Sequence, residues 1–177
     1  QLGLQDITIT QIITENAEEI NTHELEVAKS NVTEKTQTVD KTEEIANING
    51  IEIATLPITG TISSRYGVSS RIRVSTHTGL DIAATTGTPI KVIADGTVTS
   101  AQYTGSYGYL VKVDHGNGVE SWYAHTSKMY VKAGEMVKAG DVIAAVGSTG
   151  NSTGPHLHLE IRINGQHVNP QKYIYNN

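Results

Sequence analysis

Three histidines and one aspartate in this sequence have the residue types and spacing of metal ligands. His156 and His158 flank Leu157, and residues two apart in a β-strand project to the same face, so either imidazole can reach one small target. His77 and Asp81 form a second pair, four residues apart, which predicts one face of an extended segment. Two imidazoles and a carboxylate around one ion leave a fourth position open, as in catalytic zinc sites.

Each of these pairs is a weak signal by itself, and the remaining histidines are weaker still. A His-x-His pattern occurs by chance in many proteins, and His77 with Asp81 also fits a surface ion pair. His115 lies at the tip of a predicted hairpin and is a lesser candidate for the site. His23 and His167 have no partner motif, and we interpret them as structural or solvent-facing.

The strand that carries His156 and His158 is predicted from strict alternation. One face is apolar and belongs to a core, and the other is polar or ionisable. The apolar face consists of Leu157, Leu159, Ile161 and Ile163, and the polar face of His156, His158, Glu160 and Arg162. The preceding segment, 147–155, is rich in turn-forming residues, which predicts that the polar face stays accessible.

The elements that would position these residues are short β-strands. Runs 109–113 and 119–125 flank a glycine-containing loop and predict a hairpin, and Asp95-Gly96 is a turn dipeptide between two apolar runs. Further short apolar runs lie within 131–147, and long helical periodicity is absent from the sequence. The fold class predicted is all-β, a compact sandwich or barrel-like domain of short antiparallel strands.

The chain changes character near residue 56. Residues 1–56 carry a formal charge of −8 and no aromatic residue, whereas residues 57–177 carry +3 and all eight tyrosines, for a net charge of −5. We therefore expect two parts. Residues 1–56 form an acidic segment rich in Thr, Ile and Val, either a small accessory module with extended stretches such as 7–10 or a linker. Residues 57–177 form the main domain.

Composition excludes several classes of protein. With 37% hydrophobic and 18% charged residues the chain fits a globular protein, and no run approaches the ~18 apolar residues of a membrane span. The absence of cysteine excludes disulfide scaffolds, thiolate metal sites and cysteine nucleophiles. Because the chain begins at Gln1 without methionine, we expect that a targeting segment was removed or that the sequence is part of a longer protein.

Six motifs, in this order and spacing, are similar to those of one enzyme family. Region 57–173 contains Ser-Ser-Arg-Tyr-Gly at 63–67, His-Thr-Gly-Leu-Asp at 77–81, Gly-Thr-Pro-Ile at 87–90, Tyr-Ala-His at 123–125, a turn-rich segment ending in His-Leu-His at 147–158, and Val-Asn-Pro at 168–170. This region, about two-thirds of the chain, resembles the lysostaphin-like or LytM-type zinc metallopeptidases, which cleave peptides of the bacterial cell wall. Residues 1–56 show no such resemblance.

The resemblance implies a site, a cofactor and an activity. The zinc ligands are His77, Asp81 and His158, with one Zn²⁺ per chain, and His125 and His156 line the site as catalytic residues without binding metal. The implied activity is zinc-dependent endopeptidase hydrolysis of peptide bonds in bacterial peptidoglycan, within stem peptides or at cross-bridges. The expected partners are peptidoglycan peptides and not nucleic acid, and the expected location is extracellular or in the cell envelope.

Two alternative interpretations stay open, and at one position the sequence differs from the pattern of the family. A catalytically inactive module of the same family would bind cell wall or a partner protein, although the five site residues are intact. Segment 131–146 also resembles the barrel repeats of biotinyl or lipoyl carrier domains. A carrier domain needs an exposed lysine at a hairpin tip for modification, whereas the candidate hairpin tip here is Asp95-Gly96. Some family members place an oxyanion-binding tyrosine shortly before the first zinc ligand; here Arg71, Arg73 or a tyrosine from another strand would substitute.

Overall fold

The computed structural model describes residues 46–69 and 76–175, and these belong to one compact unit that spans Ile45–Asn177. Its regular structure is almost entirely β, which confirms the all-β prediction. The strands are β1 (Asn47–Ile48), β2 (Ile51–Glu52), β3 (Thr61–Ser64), β4 (Leu80–Ala83), β5 (Pro89–Lys91), β6 (Gly96–Tyr103), β7 (Tyr109–Gly116), β8 (Val119–Met129), β9 (Met136–Val137), β10 (Val142–Val146), β11 (His156–Ile163) and β12 (Gln166–Val168). A 3-10 turn lies at Gly105–Tyr107, and one short helix, α1, at Gln171–Ile174. No helix in the described ranges is long and apolar enough to cross a membrane.

The main sheet is antiparallel and has the order β3-β4-β11-β8-β7-β6-β9. The predicted hairpin is confirmed, since β7 and β8 pair across a turn at Asn117, whose positive φ of 52° suits asparagine. The turn dipeptide Asp95-Gly96 does not join two paired strands. Instead β5 pairs with β10, and β6 pairs with β7 and β9. The pairing partner of β5 is set by contacts distant in sequence, which a local turn signal does not reveal.

Strand β8 is long enough to pair with two different strands along one edge. Its first half, Val119 to Ala124, pairs with β11, and its second half, Thr126 to Met129, pairs with β10. The change of partner falls at His125, where the pairing with β7 also shifts register. A register shift of this kind is a β-bulge, which bends the strand and re-aims the side chain at that point.

Strand β11 follows the predicted alternation. Leu157, Leu159 and Ile161 are fully buried in the core, and Ile163 packs against it half-buried. Along one edge β11 pairs with β4, and in this register His158 is directly opposite Asp81. Residues directly opposite in an antiparallel pair have Cβ atoms about 4.5–5.5 Å apart, so the sheet register itself brings these two side chains together.

The core extends upstream of residue 57. Strands β1 and β2 pair as a short hairpin, and Ile48 and Ile53 are buried in the same apolar cluster as β4 and β11. The NH group of Ala54 donates to the carbonyl of Ile93, which fixes this segment to the main domain. The boundary near residue 56 stays a prediction, and the expected extended stretch at 7–10 lies outside the described residues.

A fragment of residues 57–177 is expected to be less stable than a fragment of residues 46–177. The shorter fragment loses Ile48 and Ile53, and full burial of such a side chain contributes about 1.5–3 kcal/mol. Urea unfolding of both fragments measures the difference. Equal unfolding midpoints and slopes would show that the upstream hairpin adds nothing to the fold.

Candidate functional site

Three side chains converge on one point between β4 and β11. Oδ1 of Asp81 lies 2.7 Å from Nδ1 of His158 and 3.0 Å from Nε2 of His77. The two imidazole nitrogens are 3.1 Å apart. All three residues are buried, with exposed fractions of 5–6%. These are the three residues expected as zinc ligands, and no other group of three or more His, Asp or Glu in the described residues has ligand atoms so close together.

His77 reaches this point from a loop and not from a strand. Strand β4 begins only at Leu80, so the expectation that His77 and Asp81 share one extended segment is wrong. Gly79 lies so close to β11 that a Cβ there would be 2.4 Å from the carbonyl oxygen of Leu159 and 2.8 Å from the ring of His158. A glycine at this position lets the loop approach the strand closely enough for His77 to meet His158.

Each imidazole of the three-residue group has its other nitrogen fixed by an oxygen acceptor. Nδ1 of His77 donates to the carbonyl oxygen of Arg65 at 2.8 Å, and Nε2 of His158 faces Oε1 of Glu160 at 3.3 Å. A carbonyl oxygen only accepts, so the proton of neutral His77 is on Nδ1 and its Nε2 presents a lone pair. The same argument leaves a lone pair on Nδ1 of His158.

These residues fit a cation by the chemistry of their donors. In their neutral tautomers the two imidazoles direct lone pairs at a carboxylate oxygen, so three acceptors meet without a proton between them. Burial raises the pKa of Asp81, but hydrogen bonds with His158 and His77 outweigh it and hold the pKa far below its usual range. Burial lowers the pKa of His158, but hydrogen bonds with Asp81 and Glu160 outweigh it and raise the pKa. Without a metal, positive charge is favoured at this point.

His125 and His156 flank the three-residue group without joining it. Nε2 of His156 is 3.8 Å from Oδ1 of Asp81, and the ring centroids of His125 and His158 are 5.7 Å apart. The rings of His125 and His156 are 4.8 Å apart. The sequence pattern left His156 and His158 equivalent, whereas the structure places His158 in the three-residue group and His156 beside it. Which of them binds metal stays a prediction.

These two imidazoles are oriented in the same manner as the first two. Nδ1 of His125 donates to the carbonyl oxygen of Thr149 at 2.8 Å, and Nδ1 of His156 donates to that of Gly154 at 2.7 Å. Both therefore keep a free lone pair on Nε2. Burial lowers the pKa of His125 to about 4, so this ring is neutral at neutral pH.

His125 holds an unusual backbone conformation. Its φ is 59°, whereas the other non-glycine residues with positive φ in the described ranges are all asparagines at turns: Asn49, Asn117 and Asn164. A left-handed conformation costs a non-glycine residue about 1–3 kcal/mol and persists where the surroundings enforce it. Here the bulge in β8 enforces it, and the result is an imidazole aimed into the site.

The sequence prediction missed the importance of Glu160. Its side chain is completely buried, and it accepts hydrogen bonds from Thr78 Oγ1 at 2.6 Å, Tyr107 OH at 2.9 Å, and Arg162 Nη2 at 2.7 Å, besides its contact with His158. Burial raises the pKa of Glu160, but hydrogen bonds from His158, Thr78 and Arg162 outweigh it and hold the pKa at about 2. The available signal was the alternation of β11, which put Glu160 on the face of His158.

Tyr107 is the tyrosine that lines the site. Its hydroxyl donates to Glu160 and lies 3.5 Å from Nη2 of Arg162, which donates to it. The proton of this hydroxyl is therefore committed to Glu160 and not directed at the opening of the cleft. Arg71 and Arg73, the other expected oxyanion candidates, lie outside the described residues.

The remaining histidines lie away from the three-residue group. His115 is a buried residue near the end of β7, with Nδ1 donating to the Asp95 carbonyl at 2.7 Å and Nε2 2.7 Å from the Ser121 hydroxyl. Nε2 of His167 is 3.3 Å from Oε2 of Glu160, on the side remote from His158. His23 lies outside the described residues.

Acid is expected to destabilise the fold partly through His115. Burial lowers the pKa of this imidazole from its ordinary value of 6.5, so the unfolded chain takes up a proton more readily. Its contribution to stability is complete above pH 6.5 and is lost as pH falls from there towards the lower folded pKa. His115→Asn should be less stable at neutral pH but lose less stability on acidification. Urea unfolding between about pH 7 and pH 5 tests this, and parallel curves for both proteins would contradict it.

The cleft above these residues is open, and most of its lining residues are polar. Its volume is about 590 Å³. Besides the four imidazoles, Asp81 and the apolar Val68, it is lined by uncharged hydrogen-bonding side chains: Ser63, Ser64, Thr76, Thr78, Ser106, Tyr107, Asn151, Ser152 and Thr153. The expectation that segment 147–155 leaves the polar face of β11 accessible holds in part: Asn151, Ser152 and Thr153 form the rim of a cleft lined by His156 and His158, whereas Glu160 on the same face is completely buried.

His77, Asp81 and His158 thus form a group on an antiparallel sheet, beside an open cleft, that could hold a metal ion. The model of peptidase family M23 matches residues 75–170, just over half of the chain, and the protein belongs to this family of lysostaphin-like, LytM-type peptidases. The carrier-domain alternative is thereby dropped.

Two curated relatives illustrate the range of roles within this similarity. The DD-carboxypeptidase/endopeptidase Mpg of Neisseria meningitidis is 51% identical over 62% of this chain and 26% of its own length. The murein hydrolase activator EnvC of Escherichia coli is 41% identical over 67% of this chain and 28% of its own length. The chain thus spans about a quarter of the curated relatives it matches.

Solved structures agree with the fold. The catalytic domain of the antimicrobial peptidase lysostaphin from Staphylococcus simulans superposes with a TM-score of 0.62, at 32% identity, covering 66% of this chain and 92% of that one. A zinc-containing peptidase from Vibrio cholerae superposes with a TM-score of 0.64, at 27% identity, covering 70% of this chain and 44% of that one.

Proposed function

We propose that this chain is a zinc-dependent endopeptidase that hydrolyses peptide bonds of bacterial peptidoglycan. One observation carries the proposal. Each of the four imidazoles, His77, His125, His156 and His158, has one nitrogen fixed by an oxygen acceptor and the other turned towards the same cleft. Two of these cleft-facing nitrogens are within hydrogen-bond distance of Asp81 and two are not, which divides the set into a metal group and a proton-transfer group.

The metal group consists of His77, Asp81 and His158, in agreement with the resemblance stated from the sequence. These residues would hold a zinc ion, which would supply Lewis-acid chemistry, polarising a scissile carbonyl and making a water molecule more acidic. The protein supplies the orientation of the ligands, because the Arg65 carbonyl and Glu160 hold the two rings and the pairing of β4 with β11 holds Asp81.

The proton-transfer group consists of His125 and His156. His125 is neutral at neutral pH because burial lowers its pKa to about 4, so its Nε2 can take a proton from the attacking water. The adjacent His156 presents Nε2 to the same space. Between them the two rings can return a proton to the departing amine and stabilise negative charge on the carbonyl oxygen.

The cleft suits a peptide and not a strongly charged ligand. The hydroxyl and amide groups of Ser63, Ser106, Asn151, Ser152 and Thr153 at its walls match the donors and acceptors of an extended peptide main chain. Peptidoglycan peptides lie outside the cytoplasmic membrane, so the proposal places the enzyme in the cell envelope or outside the cell. Whether stem peptides or cross-bridges are cut is decided by experiment.

The second candidate is an inactive module that activates another hydrolase. The observation in its favour is the similarity to EnvC, which is named as a murein hydrolase activator. The intact set of His77, Asp81, His125, His156 and His158 favours the enzyme. An activator has no requirement for oriented imidazoles in an open cleft.

Digestion of purified peptidoglycans separates these candidates. Sacculi with direct cross-links and sacculi with peptide cross-bridges are incubated with the full chain, and soluble fragments are identified by mass spectrometry while bound zinc is quantified. The enzyme releases fragments with one new amino terminus per cut, which also identifies the bond. Stoichiometric zinc without any fragment from either sacculus would refute the proposed activity.

A further inference from the structure

The buried carboxylate of Glu160 connects three walls of the cleft. Its Oε1 atom accepts from Thr78 in the loop of His77, from Tyr107 in the 3-10 turn, and faces Nε2 of His158 on its own strand. Its Oε2 atom accepts two hydrogen bonds from Arg162, from Nε at 3.0 Å and from Nη2 at 2.7 Å. The two oxygens therefore have separate sets of partners.

Arg162 is held on the side remote from the cleft. Its guanidinium lies over the ring of Trp122 at 3.3 Å from the centroid, and Lys112 lies over the same ring at 3.6 Å. This arrangement pairs the charge of Glu160 and satisfies Oε2. It leaves Oε1 to organise the cleft.

We infer that Glu160 is a positioning residue whose Oε1 atom fixes the tautomer and the ring orientation of His158 and thereby strengthens metal binding at the site. The inference rests on the proposed metal group of His77, Asp81 and His158. With a proton on Nε2, neutral His158 can present only Nδ1 as a lone pair to Asp81 and His77. An acceptor on the outer nitrogen of a ligand imidazole also makes the inner nitrogen more basic.

Tyr107 and Thr78 are placed by the same oxygen. Because both donate to Oε1, the loop that carries His77 and the turn at the rim of the cleft are tied to the strand that carries His158. Loss of the acceptor is expected to loosen all three at once. Loss of Arg162 leaves these contacts with Oε1 in place.

Two double variants isolate the acceptor from the buried ion pair. In Glu160→Gln/Arg162→Met the amide oxygen can still accept from His158, Thr78 and Tyr107, and in Glu160→Met/Arg162→Met nothing can. Both remove the Glu160–Arg162 ion pair, a kind of replacement that folded proteins often tolerate. Arg162→Met alone is the matched control that keeps the carboxylate.

Zinc affinity is measured by competition with a chromophoric chelator, using purified full chains whose thermal unfolding midpoints are also recorded. The Glu160→Met/Arg162→Met protein is expected to bind zinc about 10–100-fold more weakly than Glu160→Gln/Arg162→Met. Arg162→Met is expected to stay within about threefold of the unchanged chain. In the zinc-loaded unchanged chain, the Nε2 proton of His158 should give an NMR signal that is protected from solvent exchange. The Glu160→Met/Arg162→Met protein should lose this signal.

Equal zinc affinity in the two double variants would overturn the inference, because the acceptor would then be irrelevant. So would an equal loss in Arg162→Met, since the ion pair and not Oε1 would be responsible. If the unchanged chain binds no zinc, the proposed function itself fails. None of these readouts depends on hydrolysis, so they test Glu160 separately from the identity of the substrate.

Discussion

His158→Ala is expected to lose zinc and hydrolytic activity together, whereas His156→Ala is expected to keep zinc and lose activity alone. Nδ1 of His158 lies within 3.1 Å of both His77 and Asp81, so its removal leaves two ligands. Nε2 of His156 is 3.8 Å from Asp81 and belongs to the proton-transfer group. Loss of a general acid–base typically costs about 10²–10⁴-fold in rate.

His125→Ala is expected to behave like His156→Ala, because its Nε2 also faces the cleft from outside the metal group. Zinc content and initial rates of purified variants are compared at neutral pH. His115→Asn is the matched control: it removes a buried histidine remote from the cleft and should retain zinc and rate. If His156→Ala loses zinc as readily as His158→Ala, both imidazoles are ligands and the division into two groups is wrong.

Removal of zinc is expected to abolish hydrolysis while leaving the fold intact. The core of β4, β8 and β11 is built from buried side chains such as Leu80, Leu157 and Tyr123, which pack together in one apolar cluster. A chelator should therefore stop the reaction without unfolding the protein. Stoichiometric zinc should restore it.

Zinc is also expected to stabilise the folded chain. A ligand that binds only the folded state adds about 4 kcal/mol to the free energy of unfolding at a thousand times its Kd. The thermal midpoint of the unchanged chain should rise on zinc addition, and that of His158→Ala should rise much less. Full activity in protein shown to be free of metal would contradict the proposed chemistry.

The sequence predicted those parts of the site that depend on local patterns. Alternation in β11 identified the core face of Leu157 and Leu159 and put His156, His158 and Glu160 together on the other. The β7–β8 hairpin followed from two apolar runs around glycines. Such features rest on the two-residue period of a strand, and an alternation of apolar and polar residues is visible in the sequence itself.

Other parts depend on contacts between distant segments and were not predictable in this way. Glu160 looks solvent-facing by pattern, and it is buried only because the loop of Thr78 and the turn of Tyr107 cover it. The left-handed conformation of His125 arises where β8 exchanges β11 for β10 as a neighbour. Neither the loops that cover Glu160 nor the change of pairing partner along β8 produces a periodic residue pattern from which it could be predicted.

The anchoring of three of the four imidazoles by the main chain has a consequence for how this protein can change. His77, His125 and His156 are held by the main-chain carbonyls of Arg65, Thr149 and Gly154. A main-chain oxygen survives any side-chain replacement that preserves the loop path. For the proposed peptidase, the rim can therefore acquire new peptide preferences through mutations in its loops while the imidazole nitrogens stay in place, and libraries randomised at positions such as 106, 151 and 153 are a rational starting point for redirecting cleavage.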